Sequence, residues 1–333
     1  MAGQLFLTNS QGGFYASFNL SKDLRRGVQG KAKFRQFCDI RDAWGKVTRS
    51  GQTFTWDTVP MMSRGNRALV ETNTIAQGSH TIYQGTLTVS ERGFSVPYTE
   101  FLESMAMMSV RQPIMRVLKY DALCDIESTI WTEFNKTAMR FAADSSAAAP
   151  SLTSNSSATV TNSVPLSKNN VRSIIDQMKD RDVPYCDGES YYAIARHNGL
   201  RGLKNDMEAI HQYTETGLER IAKGEIGRYE ECRFVEQTVI PRGGATDSTT
   251  FNAYTNTGDT WNSGAAAGDW VFFFGEDTVC EAVHTPEEIR AKNPDDYGRS
   301  KGIAWYALYG AGIAHNNADN LAQARIFKFD SAV

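Results

Sequence analysis

The chain lacks the segments that carry a protein into or across a membrane. Its N-terminus, MAGQLFLTNSQGGFY, has neither the basic flank nor the apolar run of a secretory signal peptide. No stretch approaches the roughly 18–20 apolar residues that a bilayer-spanning helix needs. We therefore expect a soluble protein, made in the cytoplasm, with no membrane partner.

Cysteine is scarce, and its spacing fits reduced thiols better than a disulfide framework. The cysteines are far apart, odd in number and without a C-x-x-C pair: Cys38, Cys124, Cys186, Cys232 and Cys280. Small secreted proteins stapled by disulfides have denser, even-numbered cysteines. The pattern favours reduced thiols from a cytosolic compartment.

Catalytic and metal-binding motifs are also missing. No two histidines have the H-x-x-x-H spacing that places two imidazoles on one helix face, and no G-x-S-x-G or Walker-type loop occurs. We interpret Asp295-Asp296, after Pro294, as an acidic turn rather than a metal site. An enzyme with a dispersed site stays open as an alternative, because catalytic groups can converge from distant positions.

The nearest approach to a cofactor motif is Gly310-Ala-Gly312-Ile-Ala-His315. Its third glycine is missing, and the 18 residues after His315 are too few for the helix and second strand of a dinucleotide-binding unit of about 30 residues. We expect a turn near the C-terminus and no cofactor.

What the sequence does contain is globular composition with an uneven distribution of charge. Hydrophobic residues make up 41% and charged residues 22%, and the net charge of -3 argues against coating nucleic acid as the main task. Acidic residues dominate between positions 270 and 300. Six basic residues lie within 14 positions near the N-terminus: Lys22, Arg25, Arg26, Lys31, Lys33 and Arg35. This basic cluster is either a contact for phosphates or a solvated charge run, and composition leaves both open.

The N-terminal half predicts an arm, a hairpin and a long helix. Residues 1–45 lack steady periodicity and indicate an extended arm with room for one short helix. Residues 53–59 and 81–89 alternate aromatic or β-branched with polar residues, which predicts a long β-hairpin with a polar connection. Residues 112–142 predict a helix of about 30 residues, roughly 45 Å long, that acts as a strut. Its apolar row recurs every four residues and should bury Ile126 and Ile130.

The C-terminal half predicts shorter, mixed elements. A Ser/Ala/Thr-rich linker or surface loop at 144–165 precedes a helix capped by Ser167. The remaining predicted elements are strands at 190–197, 232–240 and 268–274, a helix at 204–222, and a terminal strand pair at 301–314 and 325–330. The class is α+β, because regular strand–helix alternation is absent.

Three segments resemble one family. GEIGRYEECRFVE at 224–236, SYYAIARH at 190–197 with LKND at 203–206, and GIAWYA at 302–307 with ARIFK at 324–328 resemble major capsid proteins of tailed bacteriophages. These have the Hong Kong 97 type capsid fold, which is shared with encapsulins and herpesvirus shells. In that family an arm leads into an extended hairpin, then a spine helix, then an axial domain, and the first three elements match the order predicted above.

The resemblance implies a structural role for this chain and no active site. It divides the chain into an N-terminal arm (1–45), an extended hairpin loop with flanking strands (46–98), a peripheral domain with spine helix and linker (99–165), and an axial domain with returning peripheral strands (166–333). It implies hexamers and pentamers forming an icosahedral shell in a virion, around double-stranded DNA. The implied partners are portal and scaffolding proteins and, in some shells, a decoration protein. An encapsulin-like compartment stays open as an alternative.

Overall fold

A computed structural model describes residues 32–42, 53–59, 71, 75, 80, 82–106, 109–143, 150–153, 164–211, 228–237, 268–315 and 324–332. In chain order, a 3₁₀ helix (Phe34–Phe37) is followed by β1 (Asp39–Asp42), β2 (Thr53–Thr58), β3 (Tyr83–Thr88), β4 (Ser90–Thr99), α1 (Glu100–Met105), α2 (Arg111–Asn135), β5 (Arg140–Ala142), β6 (Ser151–Thr153), α3 (Lys168–Asp180), β7 (Tyr191–Ala195), α4 (Arg201–His211), β8 (Arg228–Tyr229), β9 (Cys232–Glu236), β10 (Gly268–Phe274), β11 (Val279–Ala291), β12 (Ser300–Ile313) and β13 (Ile326–Ala332).

A four-stranded sheet carries the long helix α2 on one face. Its strand order is β1-β11-β12-β4, with β1 parallel to β11 and the other pairs antiparallel. Ile126 and Ile130 of α2 are fully buried in the same core cluster as Trp305 of β12, which confirms their predicted burial. The Trp305 indole donates to the Asp121 carboxylate at 2.7 Å, so a polar contact at the rim also ties α2 to the sheet.

A seven-stranded sheet forms the other half of the core. Its order is β6-β5-β13-β10-β7-β9-β8, with mixed directions. Phe272 of β10 packs into the cluster that contains α2, whereas its neighbour Phe273 faces the cluster built with α3 and α4. The run WVFFF is apolar throughout because alternate side chains are buried on the two faces.

The β2–β3 hairpin packs on the face of β11 and β12 opposite α2. Its register pairs Thr53 with Thr88 and Thr58 with Tyr83, which confirms the predicted hairpin strands. The Trp56 indole donates to the Ala314 carbonyl at 3.2 Å. The predicted turn at Gly310–Gly312 is wrong, because both glycines lie inside β12. There a Cβ at Gly310 would lie 2.4 Å from the Thr88 carbonyl oxygen, so the glycine allows the hairpin to approach.

The helix predicted over 112–142 ends earlier, at Asn135, and spans 25 residues. Residues after it turn away because they have distant partners. The Thr137 hydroxyl donates to the Ile326 carbonyl at 2.7 Å, and β5 pairs in parallel with β13. Phe141 continues the apolar row in sequence, but it is buried from a strand under the second core cluster rather than from the helix.

The remaining predictions fare unevenly. The Ser167 cap is confirmed, since its side chain accepts from the Asn170 N–H, and Asp295-Asp296 lies in the turn between β11 and β12. The terminal strands exist but are not a pair: β12 and β13 belong to different sheets. The linker predicted at 144–165 contains the short strand β6, which was not predicted. The linker residues 144–149 and 154–163 lie outside the described residues. So do 212–222 of the predicted second helix and 238–240 of the predicted strand. The α+β class is confirmed.

Candidate functional site around the basic N-terminal segment

Two of the six basic residues lie in a short segment that is packed into the fold. Lys33 and Arg35 belong to residues 32–38, called here the docked segment. The other members of the cluster lie outside the described residues: Lys22, Arg25, Arg26 and Lys31. The docked segment contains the 3₁₀ helix, in agreement with the short helix that the sequence allowed in the arm, and leads into β1.

Two phenylalanines anchor the docked segment between the sheets. Phe34 is fully buried, with its ring centroid 5.2 Å from that of Phe134 on α2 and 6.1 Å from that of Phe272. Phe37 makes a similar edge contact with Phe274 at 5.1 Å. Such edge-to-face pairs add stabilisation beyond the apolar area that they bury. The segment therefore joins the core rather than lying on its surface.

Arg35 is held by two buried carboxylates of β11. Its guanidinium makes a two-point contact with Glu281, at 3.0 Å through Nε and 2.9 Å through Nη2, and a further contact with Glu287. Burial lowers the pKa of Arg35, but attraction to the two carboxylates outweighs it and the pKa is raised. Burial also raises the pKa of Glu281, and Arg35 opposes that shift. One cation thus neutralises part of a buried acidic pair, and removing it would leave uncompensated charge.

Lys33 reaches the strand on the other side of the segment. Its ammonium donates to the backbone carbonyl of Glu236, at the end of β9, and the Glu236 carboxylate pairs with Lys204. Both described members of the basic cluster therefore bind groups of their own subunit. Contact between the cluster and a polyanion stays a prediction.

A third carboxyl, Glu127 on α2, contacts the segment's backbone. Its Oε2 accepts from the Phe34 N–H at 3.4 Å and from the Gln237 side-chain amide at 2.7 Å. Burial raises the pKa of Glu127 from 4.5 to about 7, although these donors act in the opposite direction. Desolvation is the dominant cause, as expected for a fully buried carboxyl.

The sequence carried a partial signal for these acidic partners. Glu127 stands four residues from both Leu123 and Trp131, so the spacing of the helix places it between two large apolar side chains on a buried stripe. Glu281 and Glu287 lie in the segment VCEAVHTPEEI. Its acidic residues are spread among the apolar ones, and the strand β11 was therefore not predicted there. Their common partner Arg35 is about 250 positions away, and no local pattern links the two.

The large apolar side chains exposed on the described surface fall mainly into two groups. One group lies in the chain between β2 and β3 and comprises Val59, Ile75 and Ile82. The other follows β4, α1 and the start of α2, and comprises Phe94, Phe101, Leu102, Met105, Val117 and Tyr120. Phe101 is 73% exposed. Large apolar side chains that lie together on an exposed surface are typical of contact sites for other molecules.

Among the described residues, no group of three or more His, Cys, Asp or Glu side chains is placed to hold a metal ion. The described helices include none that is both long and apolar enough to cross a membrane.

Comparisons by sequence and by structure give different results. No family model and no curated protein sequence matches the chain. Among solved structures, a chain of the acid-stable capsid of Helicobacter pylori bacteriophage KHP30 matches with a TM-score of 0.66 at 11% identity, covering 91% of this chain and 92% of that one. Chains from the capsid of Ralstonia phage GP4 (TM-score 0.62, 14% identity, 92% of each chain) and the capsid asymmetric unit of cyanophage Pam1 (0.62, 12%, 92% of this chain and 93% of that one) match similarly. The chain therefore has the fold of these phage capsid chains.

Proposed function

We propose that this chain is the major capsid protein of a tailed bacteriophage. Many copies, arranged as hexamers and pentamers, form an icosahedral shell around double-stranded DNA, and the chain has no catalytic role. One observation carries the proposal: the fold likeness to capsid chains extends over about nine-tenths of both chains, 91% and 92% for the KHP30 structure. A likeness of that extent covers most of both chains rather than one shared substructure.

The surface of the subunit supports self-assembly. The two groups of exposed apolar side chains lie between β2 and β3 and around α1, and together they would be costly to leave in water. Contacts between copies would cover them. Within a shell, α2 would serve as a strut between the two sheets, since its buried residues share a core cluster with Trp305 of the four-stranded sheet and Phe272 of the seven-stranded sheet.

The proposed location is the virion, after assembly in the host cytoplasm. A shell of this kind needs a portal, and a scaffolding protein supplied as a separate chain would guide assembly. A decoration protein is a further partner where the shell uses one. The packaged DNA would be held without sequence specificity, through phosphate contacts of the four members of the basic cluster that precede the docked segment.

Electron microscopy of the purified chain tests the proposal. We expect particles or ring-shaped capsomers in micrographs, and elution far ahead of a 36.9 kDa monomer in size-exclusion chromatography. A small oligomer under all assembly conditions, including added host lysate from infected cells, would contradict it. Particles isolated from infected cells should contain nuclease-protected DNA. Particles that contain a protein cargo and no DNA would instead indicate an encapsulin-like compartment.

A further inference from the structure

Three separate parts of the chain meet at the side chain of Glu127. The carboxyl projects from α2, accepts from the backbone of Phe34 in the docked segment, and accepts from Gln237, the residue after β9. Gln237 is itself fixed, because its backbone N–H donates to the Ala195 carbonyl at 3.0 Å. Glu127 therefore links the docked segment to the helix and to the seven-stranded sheet at one point.

The environment of this carboxyl is unfavourable for its charged form. Glu127 is fully buried, and its Oε1 makes no well-aligned hydrogen bond among the described residues, although the nearby backbone N–H groups of Lys33 and Arg35 oppose the rise of its pKa. A buried carboxylate with one poorly satisfied oxygen is costly, and a neutral carboxyl in the same place costs less because no charge is removed from water. The ionisable groups around the contact are Lys33, Arg35 and Cys38 on the segment, Cys124 on α2, and Glu281 and Glu287 on β11. Arg35 is already bound to the two β11 carboxylates, so it does not neutralise Glu127.

We propose that Glu127 is a proton-controlled clasp for the docked segment, which it holds tightly when its carboxyl is neutral and loosely when it is charged. The geometry explains both states. In the neutral state Oε2 still accepts from Phe34 and Gln237, and no charge is buried. In the charged state release of the segment exposes the carboxylate to water. This inference concerns the folded subunit and does not depend on the proposed function.

Docking of the segment should depend on pH, because docking and protonation of Glu127 are thermodynamically linked. With the segment docked, the pKa of Glu127 is about 7, and with the segment released the carboxyl returns toward its ordinary value of 4.5. Docking therefore takes up a proton between these values, so docking weakens as the pH rises through this window and is constant above it. Between pH 5 and pH 8 the docking equilibrium should fall by roughly 50- to 100-fold.

Hydrogen exchange on the full-length chain tests the clasp. Protection factors, corrected for intrinsic exchange rates, are measured at pH 5 and pH 8 for amides of residues 34–42 and, as internal reference, for β10. Light scattering verifies the same particle size at both values. We expect protection of 34–42, relative to β10, to fall by well over tenfold at pH 8. An unchanged ratio in the wild-type chain would overturn the proposal without any variant.

Two glutamine variants identify the group responsible. Glu127→Gln keeps the shape of the side chain and cannot titrate, so its relative protection should be the same at both pH values. Glu133→Gln, a matched change at another buried carboxyl on α2 that pairs with Lys136, should keep the wild-type pH dependence. A full pH dependence in Glu127→Gln, or its loss in Glu133→Gln, would assign the effect elsewhere and overturn the proposal.

Discussion

Lys328 is fully buried at the point where α2 ends. Its ammonium donates to the Asn135 backbone carbonyl at 2.6 Å and to the Asn135 side-chain oxygen at 3.2 Å, and it lies 4.9 Å from the centre of the Trp270 ring. The last carbonyls of a helix lack partners within the helix and attract positive charge. A lysine from β13 therefore satisfies the end of α2, which helps to explain why the helix stops at Asn135 rather than continuing.

Replacing this lysine with methionine should destabilise the subunit. Lys328→Met keeps the apolar stem and removes the ammonium, so the half-buried Asn135 carbonyl loses this donor. The expected loss is about 1–3 kcal/mol in the free energy of unfolding, measured by urea denaturation. Lys292→Met is the control, because the Lys292 side chain is exposed and its ammonium makes an exposed hydrogen bond to the Ser300 hydroxyl group rather than a half-buried one to a carbonyl. Equal stability of the two variants would argue against the capping role.

Truncating the buried row of α2 should cost more than truncating its surface. Ile130 is fully buried, and Ile130→Ala should lower the free energy of unfolding by about 2–5 kcal/mol, because it removes apolar contact and leaves a cavity. Val117 lies on the same helix and is 57% exposed, so Val117→Ala is the matched control and should change stability by less than ~1 kcal/mol. Wild-type unfolding of Ile130→Ala would show that the row is not a core element.

At the level of secondary-structure elements, the β2–β3 hairpin packs closely against glycines of β12. Gly310→Ala places a Cβ 2.4 Å from the Thr88 carbonyl oxygen, a backbone atom that cannot rotate away. We expect a loss of about 1–3 kcal/mol and faster exchange of the β3 amides, because the hairpin must lift from the sheet. Gly302→Ala lies in the same strand, where its Cβ would meet the Lys292 Cβ at an ordinary 3.4 Å. The Gly302→Ala control should leave the hydrogen-exchange protection of the β3 amides unchanged. An equal effect in both variants would show that the hairpin does not depend on Gly310 for its packing against β12.

Elements with a local signal were predicted, and elements defined by distant partners were not. The hairpin strands, β7 and the Ser167 cap follow from alternation and from capping chemistry within a few residues. The end of α2 depends on Ile326 and Lys328, about 190 positions away, which no window around the helix contains. Gly310 resembles a loop residue because the reason for its small size, the Thr88 carbonyl, lies on another strand.

The candidate site, too, was predictable only where its signal is local in the sequence. A basic cluster is visible in sequence as a run of like charges, and the structure brings two of its members together in the docked segment. The acidic residues that hold Arg35 could not be assigned from sequence, since a buried ion pair depends on which strands face each other. The clasp residue Glu127 was indicated only by its apolar neighbours at a spacing of four.

At the scale of the whole particle, the chain has no lysine between positions 47 and 118, a stretch that includes the hairpin. Some capsid proteins of the resembled family join neighbouring subunits through a lysine on this loop, which attacks an asparagine side chain. Without that amine we expect a shell held by noncovalent contacts. Particles boiled in denaturant should give a single gel band near 36.9 kDa, and a ladder of covalent oligomers would contradict this.

The basic residues that precede the docked segment are proposed to face the shell interior and to bind a polyanion there. Lys33 and Arg35 are occupied by groups of their own subunit, so this role falls to the remaining members of the cluster. Clustered positive charge on a chain with a net charge of -3 is better suited to phosphates or to an acidic scaffold than to general solubility. Reversing Lys33 or Arg35 would disturb the fold, and these two are therefore left unchanged in the test.

The triple change Arg25→Glu, Arg26→Glu and Lys31→Glu should leave the subunit folded and lower the yield of DNA-filled particles. Binding of empty shells to DNA or scaffold should also become less steeply dependent on salt, because fewer counterions are released on binding. A control of equal charge uses exposed residues elsewhere, Arg116→Glu, Arg201→Glu and Lys292→Glu. Filling should fall only in the first variant, since net charge is the same in both. Normal filling of that variant, or binding of an antibody against residues 22–31 to intact particles, would place the cluster outside the shell and defeat the proposal.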